Sequence, residues 1–70
     1  MKITYDPTVD ALYIRLRPGK IEDSDEVANG VVVDYDAEGK PLGIEIMGAS
    51  AVLGGKREMQ VELAIAEGRG

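Results

Sequence analysis

The residues with the most suggestive chemical spacing are acidic ones near the middle of the chain. Asp34, Asp36 and Glu38 alternate before Gly39, and Glu45 follows six residues later, which approaches the pattern of a calcium-binding loop. Glu38, however, stands where that loop carries Asp or Asn, and the flanking residues predict strands where the loop needs helices. On two strands, Asp34 and Glu45 could not close around one ion. We therefore interpret this segment as an acidic hairpin turn and predict no metal site.

Groups that could perform catalysis are scarce. The chain has no Cys and no His, which removes thiolate chemistry, the usual zinc ligand and the usual base at neutral pH. The candidate carboxylates are Asp6, Asp10, Asp34 and Asp36. These could converge as an acid–base pair, but turns recruit Asp for backbone hydrogen bonds anyway. Ser24 and Ser50 would be nucleophiles without a histidine. We therefore predict no catalytic residue, no cofactor and no enzyme activity.

A β-hairpin over residues 31–47 is the clearest structural prediction. Two apolar-rich runs flank the turn-forming stretch 36–41, and the first begins with three β-branched valines, which suit a pleated strand. In the second run, Leu42, Ile44 and Ile46 alternate with other residues. This period of two places the three aliphatic side chains on one face of the returning strand.

The same unit occurs thirty positions earlier in the chain. In order, Ile3, Tyr5, Asp6, Leu12, Ile14 and Leu16 correspond to Val33, Tyr35, Asp36, Leu42, Ile44 and Ile46. Because the match in residue character needs no gap, we interpret it as an internal duplication of one hairpin. The Leu and Ile residues of both returning strands are all expected to lie in the core.

Two shorter segments lie between and after the repeats. The connector at 20–29 has four acidic residues within positions 22–26, which favours a charged edge strand or an exposed connector. An acidic docking patch is the alternative. After the second hairpin, Ser50 is predicted to cap a short helix that Gly54–Gly55 ends.

The segment 56–67 is compatible with either of two structures. The alternation of Met59, Val61, Leu63 and Ile65 with smaller or polar residues predicts a last strand. The abundance of Ala, Glu, Met, Leu and Gln favours a helix instead. We favour the strand, because the alternation is strict. An apolar strand offers an edge for pairing, so we predict that these four residues contribute to a dimer interface.

Length and charge limit the class of protein. A chain of seventy residues forms one domain, which we place at residues 1–67, with residues 68–70 frayed. So short a chain buries only about 60% of its extended surface. Without disulfides or metal ligands, a homodimer is the expected source of stability. A formal charge of −5 argues against nucleic acid and anionic membranes as partners. Without a long apolar stretch or a signal-like start, a cytoplasmic location is expected.

The stretches MKITYDPTVDALYIRL and VVVDYDAEGKPLGIEI, with the Ala49–Ser50 pair that follows, also carry a family resemblance. They resemble a family of very small prokaryotic proteins known as domain of unknown function 2283, over residues 1–53. Members commonly have Asp before the Ala-Ser pair, where this chain has Gly48, which argues against a role for a carboxylate there. The resemblance implies a compact, mostly antiparallel β fold. Some similar proteins are encoded beside small toxin-like proteins, which implies an acidic antitoxin-like role by analogy.

Together these observations predict an α+β protein that is mostly β. We expect an antiparallel meander of five or six strands, built from two repeated hairpins, with one short helix near Ser50. The favoured function is a non-catalytic protein-interaction module that self-associates. An acidic antitoxin-like neutraliser of a small basic partner protein is the alternative, and a small carboxylate-dependent enzyme is the second alternative.

Overall fold

The computed structural model describes residues 1–55 and 62–66 of the chain. The elements are β1 (Lys2–Asp6), β2 (Ala11–Arg15), β3 (Asp23–Ala28), β4 (Val31–Tyr35), β5 (Pro41–Met47) and α1 (Ala49–Val52). The predicted class, mostly β with one short helix near Ser50, is confirmed. No helix formed by these residues is long and apolar enough to cross a membrane.

The five strands form one antiparallel sheet in the order β1-β2-β5-β4-β3. This order corrects the predicted meander, because β2 lies beside β5 and not beside β3. The physical reason lies in the side chains. The two strands with alternating Leu and Ile residues, β2 and β5, are each bordered by neighbours on both sides. The acidic strand β3 takes one edge, where charged side chains discourage further pairing.

The two hairpins, β1–β2 and β4–β5, share one register up to the register shift between Asp34 and Tyr35, in agreement with the predicted repeat. Ile3 lies opposite Ile14 in the first hairpin, and Val33 lies opposite Ile44 in the second. Where β2 pairs with β5, Ile14 lies directly opposite its own equivalent, Ile44. Two equivalent residues lie directly opposite each other when a two-fold axis between them relates the two repeats. The repeats are therefore related by a pseudo-two-fold axis that passes between Ile14 and Ile44.

The register also separates the sheet into two chemically different faces, because directly opposed residues point to the same side. The apolar face comprises Ile3, Tyr5, Leu12, Ile14, Val31, Val33, Ile44 and Ile46. The polar face comprises Lys2, Thr4, Tyr13, Arg15, Val32, Asp34, Gly43 and Glu45. The core of the protein must therefore be built on the apolar face alone.

That core is thin. Among the described residues, the buried hydrophobic side chains are Leu12, Leu42 and Ala49, with exposed fractions of 6%, 0% and 0%. Leu42 packs beneath the backbone at Gly19, where an added Cβ would lie 2.8 Å from one Leu42 methyl group. Ile14 and Ile44 remain partly exposed.

The prediction that all the repeated aliphatic residues are core is therefore too broad. Leu12 and Leu42 are buried, whereas Ile14, Ile44 and Ile46 are only partly covered and Leu16 is exposed. A sheet buries a face only against a second layer, and the helix here has four residues. So short an element is too small to form a complete second layer over the sheet.

The predicted last strand is absent from the part of the C-terminal segment that the structure describes. Residues 62–66 form neither strand nor helix. Leu63 and Ile65 are 80% and 88% exposed, whereas Met59 and Val61 lie outside the described residues. Alternation of apolar residues supplies a suitable face, but a strand also needs a hydrogen-bonded neighbour, and residues 62–66 make no backbone bond to the sheet.

Candidate functional site

Asp10, in the turn of the first hairpin, joins that hairpin to the helix. The Tyr5 hydroxyl donates a hydrogen bond to Asp10 Oδ1 at 2.6 Å. The backbone N–H of Ser50 donates to the same oxygen at 3.0 Å, and the Ser50 hydroxyl donates to Oδ2 at 2.7 Å. The backbone N–H of Ala49 donates to the Asp10 carbonyl oxygen at 2.9 Å. One residue thus satisfies two of the free N–H groups that begin a helix, those of Ala49 and Ser50.

This arrangement corrects the predicted role of Ser50 as the helix cap. The residue at the cap position is Gly48, with φ 63° and ψ 39°, and it makes no side-chain cap bond. Ser50 lies one residue inside the helix and its hydroxyl turns to Asp10. The cap comes from a distant turn. The Asp10 carboxylate and carbonyl oxygens accept the hydrogen bonds of the Ala49 and Ser50 N–H groups, so no local side chain is needed to accept them.

A second polar cluster crosses the polar face of the sheet. The Tyr13 hydroxyl on β2 donates to Asp34 Oδ2 on β4 at 2.9 Å, and the Ser24 hydroxyl on β3 donates to Asp34 Oδ1 at 2.6 Å. Arg15 reaches the Tyr13 hydroxyl oxygen at 3.4 Å. Both carboxylate oxygens of Asp34 therefore have a donor, and the cluster ties β2, β4 and β3 together across the intervening β5.

Gly43 on β5 makes this cluster possible. The Tyr13 ring crosses over it, and a Cβ added at Gly43 would lie 2.7 Å from Tyr13 Cζ and closer still to the hydroxyl oxygen. Any side chain at this position would push Tyr13 away from Asp34. Glycine in the middle of a strand, which weakens pairing in isolation, is thus required by a cross-strand contact.

We expect Gly43→Ala to lower the free energy of unfolding by about 1–3 kcal/mol, the usual cost of overpacking. The double variant Gly43→Ala, Tyr13→Ala removes the clash, so it should cost less than the two single changes added together. Chemical denaturation of the four proteins measures this. Strict additivity would show that Tyr13 does not lie over Gly43.

Asp36 organises the turn of the second hairpin. Its Oδ1 accepts the backbone N–H groups of Glu38 and Lys40, both at 2.9 Å. Its Oδ2 accepts a charge-assisted bond from Arg17 at 2.6 Å. The Arg17 hydrogen bond, followed by the two backbone N–H groups, lowers the pKa of the Asp36 carboxyl below its ordinary value. The ion pair also fixes the connector that follows β2 against this turn.

This lowered pKa predicts an acid-dependent loss of stability. A carboxyl group with a lower pKa in the folded state stabilises the fold above the unfolded-state pKa of about 3.9, and this contribution is lost as the pH falls through the folded-state pKa. We expect Asp36→Asn to flatten the stability profile on the acid side, measured by urea denaturation between about pH 6 and pH 3. Asp6→Asn, at the equivalent turn position, is the matched control. An unchanged profile for Asp36→Asn would contradict the role of Arg17.

The structure does not bring the candidate carboxylates together. Asp10 contacts the helix, Asp34 lies in the polar-face cluster, Asp36 holds its own turn, and Asp6 accepts the N–H of Thr8 at 2.9 Å. Within residues 1–55 and 62–66, no three His, Cys, Asp or Glu side chains group in a way that could hold a metal ion. The bonds of these carboxylates fix turns, a helix and neighbouring strands.

Two surfaces remain for binding. The first is the apolar face, at whose β1 edge Met1, Ile3, Glu62 and Leu63 line an open cavity of about 390 Å³. Of the predicted interface residues, Leu63 therefore comes close to this face. The second is the edge strand β3, whose six residues are all exposed and include Asp23, Asp25 and Glu26. The sequence predicted the acidic edge. The incompletely covered apolar face could not be predicted, because it depends on the order of the strands in the sheet.

Comparison with known proteins gives a family match over the first part of the chain. A family model described as "Protein of unknown function (DUF2283)" matches residues 2–50, which include all five strands and the start of the helix. No curated protein and no solved structure matches the chain.

Proposed function

Because the chain belongs to the DUF2283 family, whose description assigns no activity, we propose a function from its surfaces: a non-catalytic protein-interaction module that self-associates. The observation that supports this proposal is that other residues cover the apolar face only incompletely. Ile3 is 38% exposed there, and Ile14 and Ile44 are partly exposed. Aliphatic side chains at the centre of a sheet gain about 25 cal/mol per Å² when a partner removes them from water.

The C-terminal segment supports the same proposal. Leu63 and Ile65 are largely exposed, and Leu63 lies near the β1 edge of the apolar face. Apolar side chains in such a position extend the surface that a partner could cover. We therefore retain the proposal that the residues predicted from alternation take part in self-association. They are Met59, Val61, Leu63 and Ile65, of which the first two lie outside the described residues.

Self-association predicts a dimer for the full chain and a weaker dimer when the exposed apolar tail is charged. We expect sedimentation equilibrium over a concentration series to give twice the monomer mass. Leu63→Asp combined with Ile65→Asp should raise the dissociation constant by about tenfold, which corresponds to about 1.4 kcal/mol.

The control for this experiment is Val9→Asp, which charges an exposed valine in the turn of the first hairpin and should leave the dissociation constant unchanged. A full-length protein that stays monomeric at millimolar concentration would refute self-association. A dimer that is unaffected by the tail variant would leave self-association standing and remove the tail from it.

A second function, an acidic antitoxin-like neutraliser of a small basic partner, is favoured by the exposed edge strand β3. Asp23, Asp25 and Glu26 project from this edge, and Glu22 precedes it. Opposite charges steer association and raise its rate. Edge strands also present backbone groups that an extended segment of another protein can pair with.

Affinity capture from the native host tests this second function. We expect the wild-type protein to retain a small basic protein in equal amount, and Asp25→Lys combined with Glu26→Lys to lose it. Glu38→Lys combined with Glu62→Lys, which makes the same change in net charge elsewhere, should retain it. Capture of the chain alone, with no basic protein, would favour self-association as the sole function.

A further inference from the structure

The protein exposes more surface than a folded monomer of its size. Its accessible surface is 5457 Å², whereas a folded monomer of 7.5 kDa is expected to expose about 4,200 Å². The difference, about 1,200 Å², exceeds the roughly 800 Å² that each partner contributes to a stable interface.

The dimensions of the chain agree with this surface excess. Its radius of gyration is 13.7 Å, whereas a globular chain of this length has one of about 11 Å. Within residues 1–55, one five-stranded sheet and a four-residue helix provide a single layer. A second sheet stacked about 10 Å away is the standard way to bury the apolar face of such a layer.

Charge is distributed so that only one face suits a second copy. Within β1, β2, β4 and β5 the apolar face has no charged residue, whereas the polar face has Lys2, Arg15, Asp34 and Glu45. The acidic side chains of β3 that share the apolar side, Asp23 and Asp25, lie at its outer edge. A chain with a net charge of −5 can therefore meet its own copy there with its acidic residues at the solvent-exposed rim.

Residues 62–66, the described part of the C-terminal segment, do not provide the missing layer. Leu63 and Ile65 stay 80% and 88% exposed, and Glu62 and Leu63 lie beside Met1 and Ile3 at the β1 edge. The middle of the apolar face, at Ile14 and Ile44, stays partly open to solvent.

From these observations we infer that the apolar face is the homodimer interface: two copies pack their sheets face to face into a sandwich, with the paired Ile14 and Ile44 near its centre. This inference rests on the proposed self-association and names the surface that carries it. The second copy supplies the layer that the four-residue helix is too short to provide, and it leaves the polar face of the sheet in water.

Adjacent residues on β1 provide a matched test in the full chain. Ile3→Lys places a charge on the apolar face, and Thr4→Lys places the same charge on the polar face. We expect Ile3→Lys to raise the dimer dissociation constant by about 10- to 100-fold and Thr4→Lys to leave it unchanged. Both variants make the net charge less negative, so general electrostatics would strengthen both dimers. If the wild-type protein dimerises and the two variants behave alike, the interface lies elsewhere although self-association stands.

A measurement on the wild-type protein covers the case in which Ile3→Lys does not fold. Val32 lies on the polar face and Val33 on the apolar face of the same strand. With a soluble paramagnetic agent, the Val33 methyl signals should become protected as the protein concentration rises through the dimer range, whereas the Val32 signals should not. Equal behaviour of the two valines in a dimer would refute the face-to-face arrangement. A wild-type protein that never dimerises would refute the proposed function itself.

Discussion

Replacing Leu42 with Ala is expected to lower the free energy of unfolding by about 2–5 kcal/mol, the range for truncating a buried Leu. Leu42 is 0% exposed and packs beneath Gly19, so the change would leave a cavity that the backbone above it cannot readily fill. A domain this small has only about 3–5 kcal/mol from its own core. The variant should therefore be largely unfolded as a monomer, which urea denaturation followed by circular dichroism measures.

Two further substitutions control this experiment. Leu12→Ala, at the equivalent position of the first hairpin, removes another buried side chain and should cost a similar amount. Leu63→Ala removes a Leu that is largely exposed, so at protein concentrations below the dimer range it should change the free energy of unfolding by less than about 0.5 kcal/mol. If Leu42→Ala behaved like Leu63→Ala, the strand order that buries Leu42 would be wrong.

The second large effect is expected from Asp10, because it joins the first hairpin to the helix. Asp10→Ala removes the acceptor of bonds from Tyr5 and Ser50 and should cost about 2–3 kcal/mol, since bonds to a charged group are worth more than neutral ones. Helix formation at residues 49–52 should be lost first. Amide hydrogen exchange at Ser50 measures this directly, because its N–H loses its acceptor.

The backbone at Asp10 requires a separate control. Its φ is 53°, a left-handed conformation that Ala adopts at a cost of about 1–2 kcal/mol and Gly adopts freely. Asp10→Gly therefore removes the carboxylate without backbone strain, and Asp10→Asn keeps one carbonyl acceptor and tolerates the conformation. We expect stability to fall in the order wild type, Asn, Gly, Ala. A Gly variant as stable as the wild type would show that the carboxylate does not hold the helix.

Local patterns in the sequence were sufficient for the strands of both hairpins. Alternation at Leu12 and Ile14, and again at Leu42 and Ile44, identified the strands and their duplication, because a period of two reports directly which residues share a face. The acidic edge was also predictable, since charge in a connector between strands is a local property. These features depend on residues within a few positions of one another.

The contacts between hairpins could not be predicted in this way. Nothing near Asp10 in sequence indicates that it caps a helix forty residues later, and nothing near Gly43 indicates that Tyr13 covers it. Ser50 looked like a local cap because a hydroxyl before a short apolar run is the usual signal. Such contacts depend on the order of strands in the sheet, which side-chain alternation does not determine.

The pairing of Ile14 with Ile44 across the pseudo-two-fold axis also has a consequence for the folding rate. Each hairpin closes a loop of only a few residues, whereas this central pair joins residues thirty positions apart. Closing the longer loop costs more chain entropy, so the hairpins should be native-like before they dock. We therefore expect the docking of β2 on β5 to be the rate-limiting step, with a barrier that rises when the connector between β2 and β3 is lengthened.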